Sequence, residues 1–125
     1  MLNLYQEIVM DHYKNPRNRG VLTDCHFITQ QRNPACGDEI TCSGIITDNK
    51  ISVINFDGKG CVISQASASL LSEKAKDIPI QDVFAFNEHT LTSIIGMSLG
   101  PVRMQCALLS LIALQNGLQE YMKRQ

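Results

Sequence analysis

Residues 39–56 read EITCSGIITDNKISVINF. In the first half, Ile40, Cys42 and Ile46 fall at even steps, the two-residue period of a half-buried strand. The second half, ISVINF, is rich in β-branched residues and resumes the same state. Between them Asp48-Asn49-Lys50 reads as a turn, because asparagine tolerates a left-handed backbone. Two strands joined by so short a connection must be antiparallel. Upstream, VLTDCHFITQQ from Val21 reads as a further extended segment. The expectation is a three-stranded antiparallel sheet.

The flanks are helical. Leu2, Tyr5, Val9 and His12–Tyr13 recur at helical spacing, widened by Leu4 and Ile8. That helix should stop near Lys14–Asn15, because Pro16 disfavours helical geometry before it; Arg17-Asn18-Arg19-Gly20 reads as a loop. Gly58-Lys59-Gly60 breaks the last strand. CVISQASASLLSEKAK follows as a helix, with Val62, Ala66, Leu70 and Lys74 along one stripe. Pro79 can open a single helix, PIQDVFAFNEHTLTSII, as a first-turn proline. After Gly96 and Gly100, Pro101 begins a helix apolar on most sides from Val102 to Leu114, with Lys123 and Arg124 suited to its C-terminus. No repeat, linker or low-complexity tract interrupts residues 1–125. The fold class is α+β: one domain, a small antiparallel sheet covered by helices.

Composition limits the function. With 11 Lys+Arg against 12 Asp+Glu the net charge is −1, which argues against nucleic acid or an anionic membrane as partner. No apolar run reaches the length of a membrane span. Glu7 and Asp11 interrupt the apolar pattern of the N-terminus, so it does not read as a signal peptide. The five cysteines (Cys25, Cys36, Cys42, Cys61, Cys106) are an odd number. Without secretory features they read as reduced thiols of a cytoplasmic protein rather than a disulfide framework.

Reduced cysteines either pack as small hydrophobes or do chemistry. Within 33-NPACGDEI-40, Cys36 and Asp38 are two residues apart and would project from one side of an extended segment, with Gly37 leaving room for close approach. Cys61 sits where a glycine-rich turn enters a helix, and Cys106 near the start of the last helix. Helix N-termini favour the thiolate, the form that ligates metals and attacks electrophiles. Three thiols and a carboxylate supply the four donors of a tetrahedral site. The same residues also fit three buried small side chains and a turn aspartate.

The chain resembles the U-type iron–sulfur cluster assembly scaffolds, the IscU/SufU proteins related to the N-terminal part of NifU. LYQEIVMDHYKNPRNRG is similar to the family's opening helix and loop, and NPACGDEI to its first ligand motif. GKGCVISQASASLLSE and PVRMQCALLSLIAL are similar to the second and third. The resemblance covers almost the whole chain and places the family's ligands on Cys36, Asp38, Cys61 and Cys106. It implies that a cysteine desulfurase delivers persulfide sulfur, that a transient [2Fe–2S] cluster forms, and that the cluster passes to apo-proteins or carriers. Thiolates suit iron–sulfur clusters, and one harder carboxylate oxygen among them suits transfer over storage. The same donors bind Zn²⁺. A monomer or weak dimer is expected.

Two departures from the Isc branch stand out. Gln105 occupies the place of a histidine before the third cysteine, and Leu99-Gly100-Pro101-Val102-Arg103 replaces the Leu-Pro-Pro-Val-Lys segment read by an Hsp70-type chaperone. The PVR sequence looks like the SufU branch, whose members act as zinc-dependent sulfur-transfer partners of the desulfurase; the insertion usual there is missing. The sulfur acceptor is therefore Cys106 by Isc likeness or Cys36 by SufU likeness, with a lean toward Cys36. The reading adopted is a scaffold, with sulfur transfer as runner-up and a purely structural zinc domain as the competing class. Cys42 is assigned to the core and Cys25 to a partly exposed bystander position. His12, His26 and His89 are assigned to surface or hydrogen-bonded roles, with His89 the spare ligand. Arg103 is a candidate for steadying a thiolate or persulfide, and Arg17 and Arg19 are candidates for an acidic partner surface.

Overall fold

The Asp48–Asn49 turn organises the sheet. Both residues adopt positive φ, +53° and +63°, and Thr47 pairs with Lys50 across them. This is the two-residue hairpin whose twist matches that of its strands. It joins β2 (Asp38–Thr47) to β3 (Lys50–Lys59), and β1 (Phe27–Asn33) pairs antiparallel with β2 on the other side, giving the order β1-β2-β3. The structure, a computed structural model, describes residues 4–125. Leu2 and the Tyr5 side chain, expected on the apolar stripe of the first helix, lie outside the described residues.

Around the sheet stand α1 (Leu4–Lys14), α2 (Val62–Ala75), α3 (Ile80–Phe84), α4 (Glu88–Ile95) and α5 (Pro101–Lys123). The α+β architecture with a three-stranded antiparallel sheet is as expected. α5 lies across β1 and β2, while α2 packs on β3, α1 and α5. Phe27 fixes the closeness of α5 to the sheet. A methyl group at Gly44 would stand 2.4 Å from the Phe27 ring, and one at Gly117 in α5 would stand 2.6 Å from it. Two glycines therefore sandwich one buried aromatic ring. Thr29 adds a hydrogen bond from its hydroxyl to the Ala113 carbonyl, 2.6 Å.

Four expectations change. Val21–His26 is not strand; its backbone is tied instead by Leu22 N–H to Ser43 Oγ and by His26 N–H to the Gly44 carbonyl. The helix expected from Pro79 is two helices. Asn87 breaks it by capping α4 with its side chain, and Thr90 closes the capping box. The stripe expected on α2 is replaced by burial on most sides: Lys74 is exposed, while Ser64, Ser67, Ser69 and Ser72 are buried with the alanines. The first turn of α5 is conversely more open than expected, with Val102 72% exposed.

Those serines hold the N-terminal loop. Ser69 Oγ pairs with His12 Nδ1 at 2.7 Å and accepts the Arg17 N–H at 2.8 Å. Ser72 Oγ accepts from Asn18 at 3.0 Å. Arg19 pairs with Asp57 and donates to the Gly58 carbonyl, while Gly20 and Asn18 exchange backbone hydrogen bonds with Phe56. Arg17 is engaged with Asp11 at 2.6 Å. The two arginines thus lash residues 15–20 along the outer edge of β3, which blunts that edge against pairing with another chain.

His12 is buried at this junction. Burial and the nearby Arg17 charge lower its pKa from the ordinary 6.5, against partial opposition from Glu73 and Asp11. The native protein therefore holds His12 neutral where the unfolded chain would bind a proton. Stability from this group is present above pH 6.5 and is lost as pH falls from there through the lowered native value. Denaturant melts of the wild type and His12→Gln at pH 7.5 and 5.5 should give a shallower loss of stability on acidification for the variant. Equal losses in both proteins would contradict a strained neutral His12.

Candidate metal centre

Asn33 shapes the β1–β2 connection. Its carbonyl accepts the amides of Cys36 and Gly37, at 3.3 and 2.8 Å, and its side chain accepts the Ala35 amide at 3.1 Å. Gly37 then takes φ +75°, a left-handed conformation that favours glycine. A methyl group there would meet nothing within 4 Å, so glycine is required by the backbone and not by space as expected. Cys36 and Asp38 accordingly do not project from one face of an extended strand. Cys36 lies exposed in the turn, and Asp38 opens β2 with its side chain inward, 2% exposed.

The buried carboxylate is satisfied from the β3–α2 junction. Asp38 Oδ1 accepts the Cys61 amide at 3.1 Å, and the Cys61 thiol donates to Oδ2 at 3.5 Å. This fit requires Gly60, where a methyl group would stand 2.6 Å from Asp38 Cγ and from Ser64 Oγ. Cys61 is itself the N-cap of α2, its sulfur accepting the Ser64 amide at 3.5 Å. Burial pushes the Asp38 carboxyl up, but hydrogen bonds from Cys36, from Cys61 and from Ser64 outweigh it and hold the group below the ordinary carboxylate value. Asp38 is an anion at neutral pH.

α5 supplies the last donor. Cys106 sits in its second turn, 5% exposed, with Sγ 4.0 Å from Cys36 Sγ. Cys36 Sγ, an Asp38 carboxylate oxygen and Cys106 Sγ all lie within 4.8 Å of one another. Cys61 borders this trio, hydrogen-bonded to Asp38 and beside Cys106. A tetrahedral ion with metal–sulfur bonds of about 2.3 Å holds its sulfurs roughly 3.8 Å apart, so the Cys36–Cys106 spacing fits one. The electrostatics fit too. Burial and the adjacent Cys61 and Cys36 sulfurs push the Cys106 thiol up to about 12. That reverses the expected thiolate preference of a helix start, because Cys106 lies beyond the first turn and faces other sulfurs. A divalent cation among these groups would offset both burial and mutual repulsion.

The other candidates lie elsewhere. Cys42 is fully buried in the core, and burial raises its pKa far above the ordinary thiol value. Cys25 is half-buried, its thiol toward the Leu22 carbonyl. His12 is committed to Ser69, and His26 Nδ1 accepts the Ile46 amide at 2.8 Å. His89 is exposed on α4 and joins no metal-ligating group among the described residues. Gln105 and Arg103 are both exposed on the first turns of α5, and Arg103 makes no ion pair among the described residues. Sequence reasoning missed Gly60 and Ser64 as supports. The signal was present in GKGCVIS, a glycine before a helix-capping cysteine and a hydroxyl three residues after it.

Fold and site together define a small α+β protein that presents three thiols and a carboxylate from the β1–β2 turn, β2, the start of α2 and α5. The NifU-like N terminal domain family matches residues 4–125, and the chain belongs to that family. It is 37% identical to the zinc-dependent sulfurtransferase SufU of Bacillus subtilis, over 91% of this chain and 88% of that protein. That aligned region, 131 positions long, exceeds the 125-residue chain, so the relative carries residues that this chain lacks. It is 32% identical to the iron–sulfur cluster assembly scaffold protein IscU of Thermotoga maritima, over 94% of each. A solved structure from Fervidobacterium islandicum, described as an iron–sulfur cluster assembly scaffold for the SUF system, superposes with TM-score 0.76 at 26% identity, over 90% of this chain and 94% of that one. A NifU-like N-terminal structure from Brucella abortus shares the fold at TM-score 0.80 and 15% identity, over 98% and 96%.

Gly60→Ala drives a methyl group to 2.6 Å from the Asp38 Cγ and Oδ1 atoms while leaving all four candidate ligand residues in the chain. It should weaken zinc binding by roughly 10–100-fold, the usual effect of disturbing a ligand's support. Competition against a chromophoric chelator measures this. Unchanged affinity would show that Asp38 placement does not govern the site.

Proposed function

We propose that the protein is an iron–sulfur cluster assembly scaffold, receiving sulfur from a cysteine desulfurase and passing a transient [2Fe–2S] cluster to apo-proteins or carriers in the cytoplasm. The observation that carries the reading is the convergence of Cys36, Asp38 and Cys106 within 4.8 Å, in a chain of this family. Iron and sulfide are here cargo. Cys36, Cys61 and Cys106 would hold the cluster through sulfur, and Asp38 through oxygen. A carboxylate binds soft, sulfur-bridged iron less firmly than a thiolate does, which leaves one edge of the cluster easier to release.

The chain's own residues divide the work. Cys36 and Cys61 are both exposed and Cys106 is buried. Cys61 is tied down as the cap of α2 and by its hydrogen bond to Asp38, which leaves Cys36, on its turn, as the thiol best placed to meet an incoming persulfide. Sulfur therefore arrives on Cys36. Asp38, held by the Cys61 amide, stays ionised and fixed when the turn moves.

A second reading has its own support in the 37% identity to a zinc-dependent sulfurtransferase and in Gln105, which offers no imidazole beside Cys106. In that reading the same four residues hold Zn²⁺, which would supply charge neutralisation for the thiolates and a structural clamp, and Cys36 again takes the sulfur. Anaerobic incubation with cysteine, ferrous iron and a desulfurase distinguishes the two. Growth of visible sulfide-to-iron bands, lost in Cys36→Ser and longer-lived in Asp38→Ala, supports the scaffold. Retained zinc with accelerated desulfurase turnover and no bands supports sulfur transfer. A shorter-lived cluster in Asp38→Ala would remove the release role from that residue.

A further inference from the structure

Two thiols that differ sharply in exposure face each other across the site. Cys36 is open to solvent, Cys106 is 5% exposed, and their sulfurs are 4.0 Å apart. They come from elements of unlike rigidity. Cys106 is set in a 23-residue helix, whereas Cys36 rides a turn next to Gly37, around which no atom lies within 4 Å of where a side chain would begin. A disulfide needs the sulfurs at about 2.05 Å, a closure of roughly 2 Å that the turn can supply.

We propose that Cys106 is the resolving thiol for a persulfide on Cys36, and that the pair releases the delivered sulfur as sulfide by closing into a Cys36–Cys106 disulfide. The step rests on the reading of Cys36 as sulfur acceptor. Displacement at sulfur places nucleophile and leaving group on opposite sides of the atom attacked. Cys106 Sγ stands on the buried side of Cys36 Sγ, and the outer sulfur, delivered from solvent, stands on the open side. Attack falls on Cys36 Sγ, and the outer sulfur departs outward.

The atoms and electrons balance. Cys36–S–S⁻ and Cys106–SH become Cys36–S–S–Cys106 and HS⁻. The bond between Cys36 Sγ and the outer sulfur breaks, and the Cys36–Cys106 bond forms. Cys106 gives up its proton as it attacks, so no standing thiolate is needed in the buried site; the outer sulfur leaves with the electron pair and that proton, and the two cysteine sulfurs are oxidised to the disulfide. No external reductant enters this half; a dithiol reductant of the thioredoxin class then restores both thiols. A cation holding both sulfurs would block the step, so it belongs to the metal-free chain.

The test uses the full chain freed of metal by chelation and treated anaerobically with glutathione persulfide, without added thiol. Intact mass, peptide mapping and sulfide release are followed together. The wild type should first become one sulfur heavier on Cys36, then two hydrogens lighter than the free chain, with a Cys36–Cys106 cross-link and one sulfide per chain. Cys106→Ala should hold the extra sulfur on Cys36 and release none, while Cys25→Ser should behave as wild type. The proposal is overturned if the wild type keeps a stable persulfide on Cys36, if the sulfur moves intact to Cys106, or if Cys106→Ala releases sulfide equally well. Because the wild-type mass course is itself decisive, it does not depend on how well the variant folds. Failure of the acceptor reading looks different: a desulfurase with cysteine then puts no sulfur on Cys36 although glutathione persulfide does.

Discussion

The hydrogen bond from the Cys61 amide to the Asp38 carboxylate joins the two halves of the site. Asp38 opens β2, and Cys61 caps α2; they are 23 residues apart in sequence. A carboxylate with 2% exposure is costly unless its oxygens are met, and here the Cys61 amide and thiol meet them, with Gly60 leaving the room for that approach. The consequence reaches further than local stability. With Asp38 held, the turn before it carries Cys36, and the cap after it carries Cys61, to the same place. α5 then lays Cys106 beside them, at a height set by Phe27 between Gly44 and Gly117.

Around this centre the molecule separates rigid from movable donors. Cys106 belongs to a helix, the exposed Cys61 to the cap that starts one, and Asp38 to the central strand. Cys36 alone is in a turn, and it is exposed. One donor on a turn beside three anchored in regular elements suits the proposed sulfur acceptance, in which a thiol must meet a partner and return to its companions. The raised pKa of Cys106 describes the same arrangement from the electrostatic side: the pocket disfavours a thiolate until a cation arrives. Metal binding and proton release are thereby linked.

Much of this was legible in the chain. The period-two run from Ile40, the Asp48–Asn49 turn and the proline at the start of α5 each speak through local chemistry, and each stands where expected. The four candidate residues stood out through motif likeness, and Cys36, Asp38 and Cys106 lie together, with Cys61 at their border. What local chemistry could not give was long-range geometry. Nothing in NPACGDEI says that Cys36 sits on a turn while Asp38 points inward, because that depends on the Cys61 amide. Nothing in QASASLLS says that serines are buried, because their partners are His12, Arg17 and Asn18, more than 50 residues away. Asn87 as a helix cap was readable from its own side chain, and the apolar periodicity running through Phe84 and Phe86 masked it.

The proposed function stands or falls on Cys36, Asp38, Cys61 and Cys106 forming one cation site. X-ray absorption at the zinc edge of the zinc-loaded chain tests it most directly. The account predicts three sulfurs at about 2.3 Å and one oxygen at about 2.0–2.2 Å, with the oxygen lost or replaced in Asp38→Ala. A shell of histidine nitrogens, or one unchanged by Asp38→Ala and by Cys36→Ser alike, would contradict it.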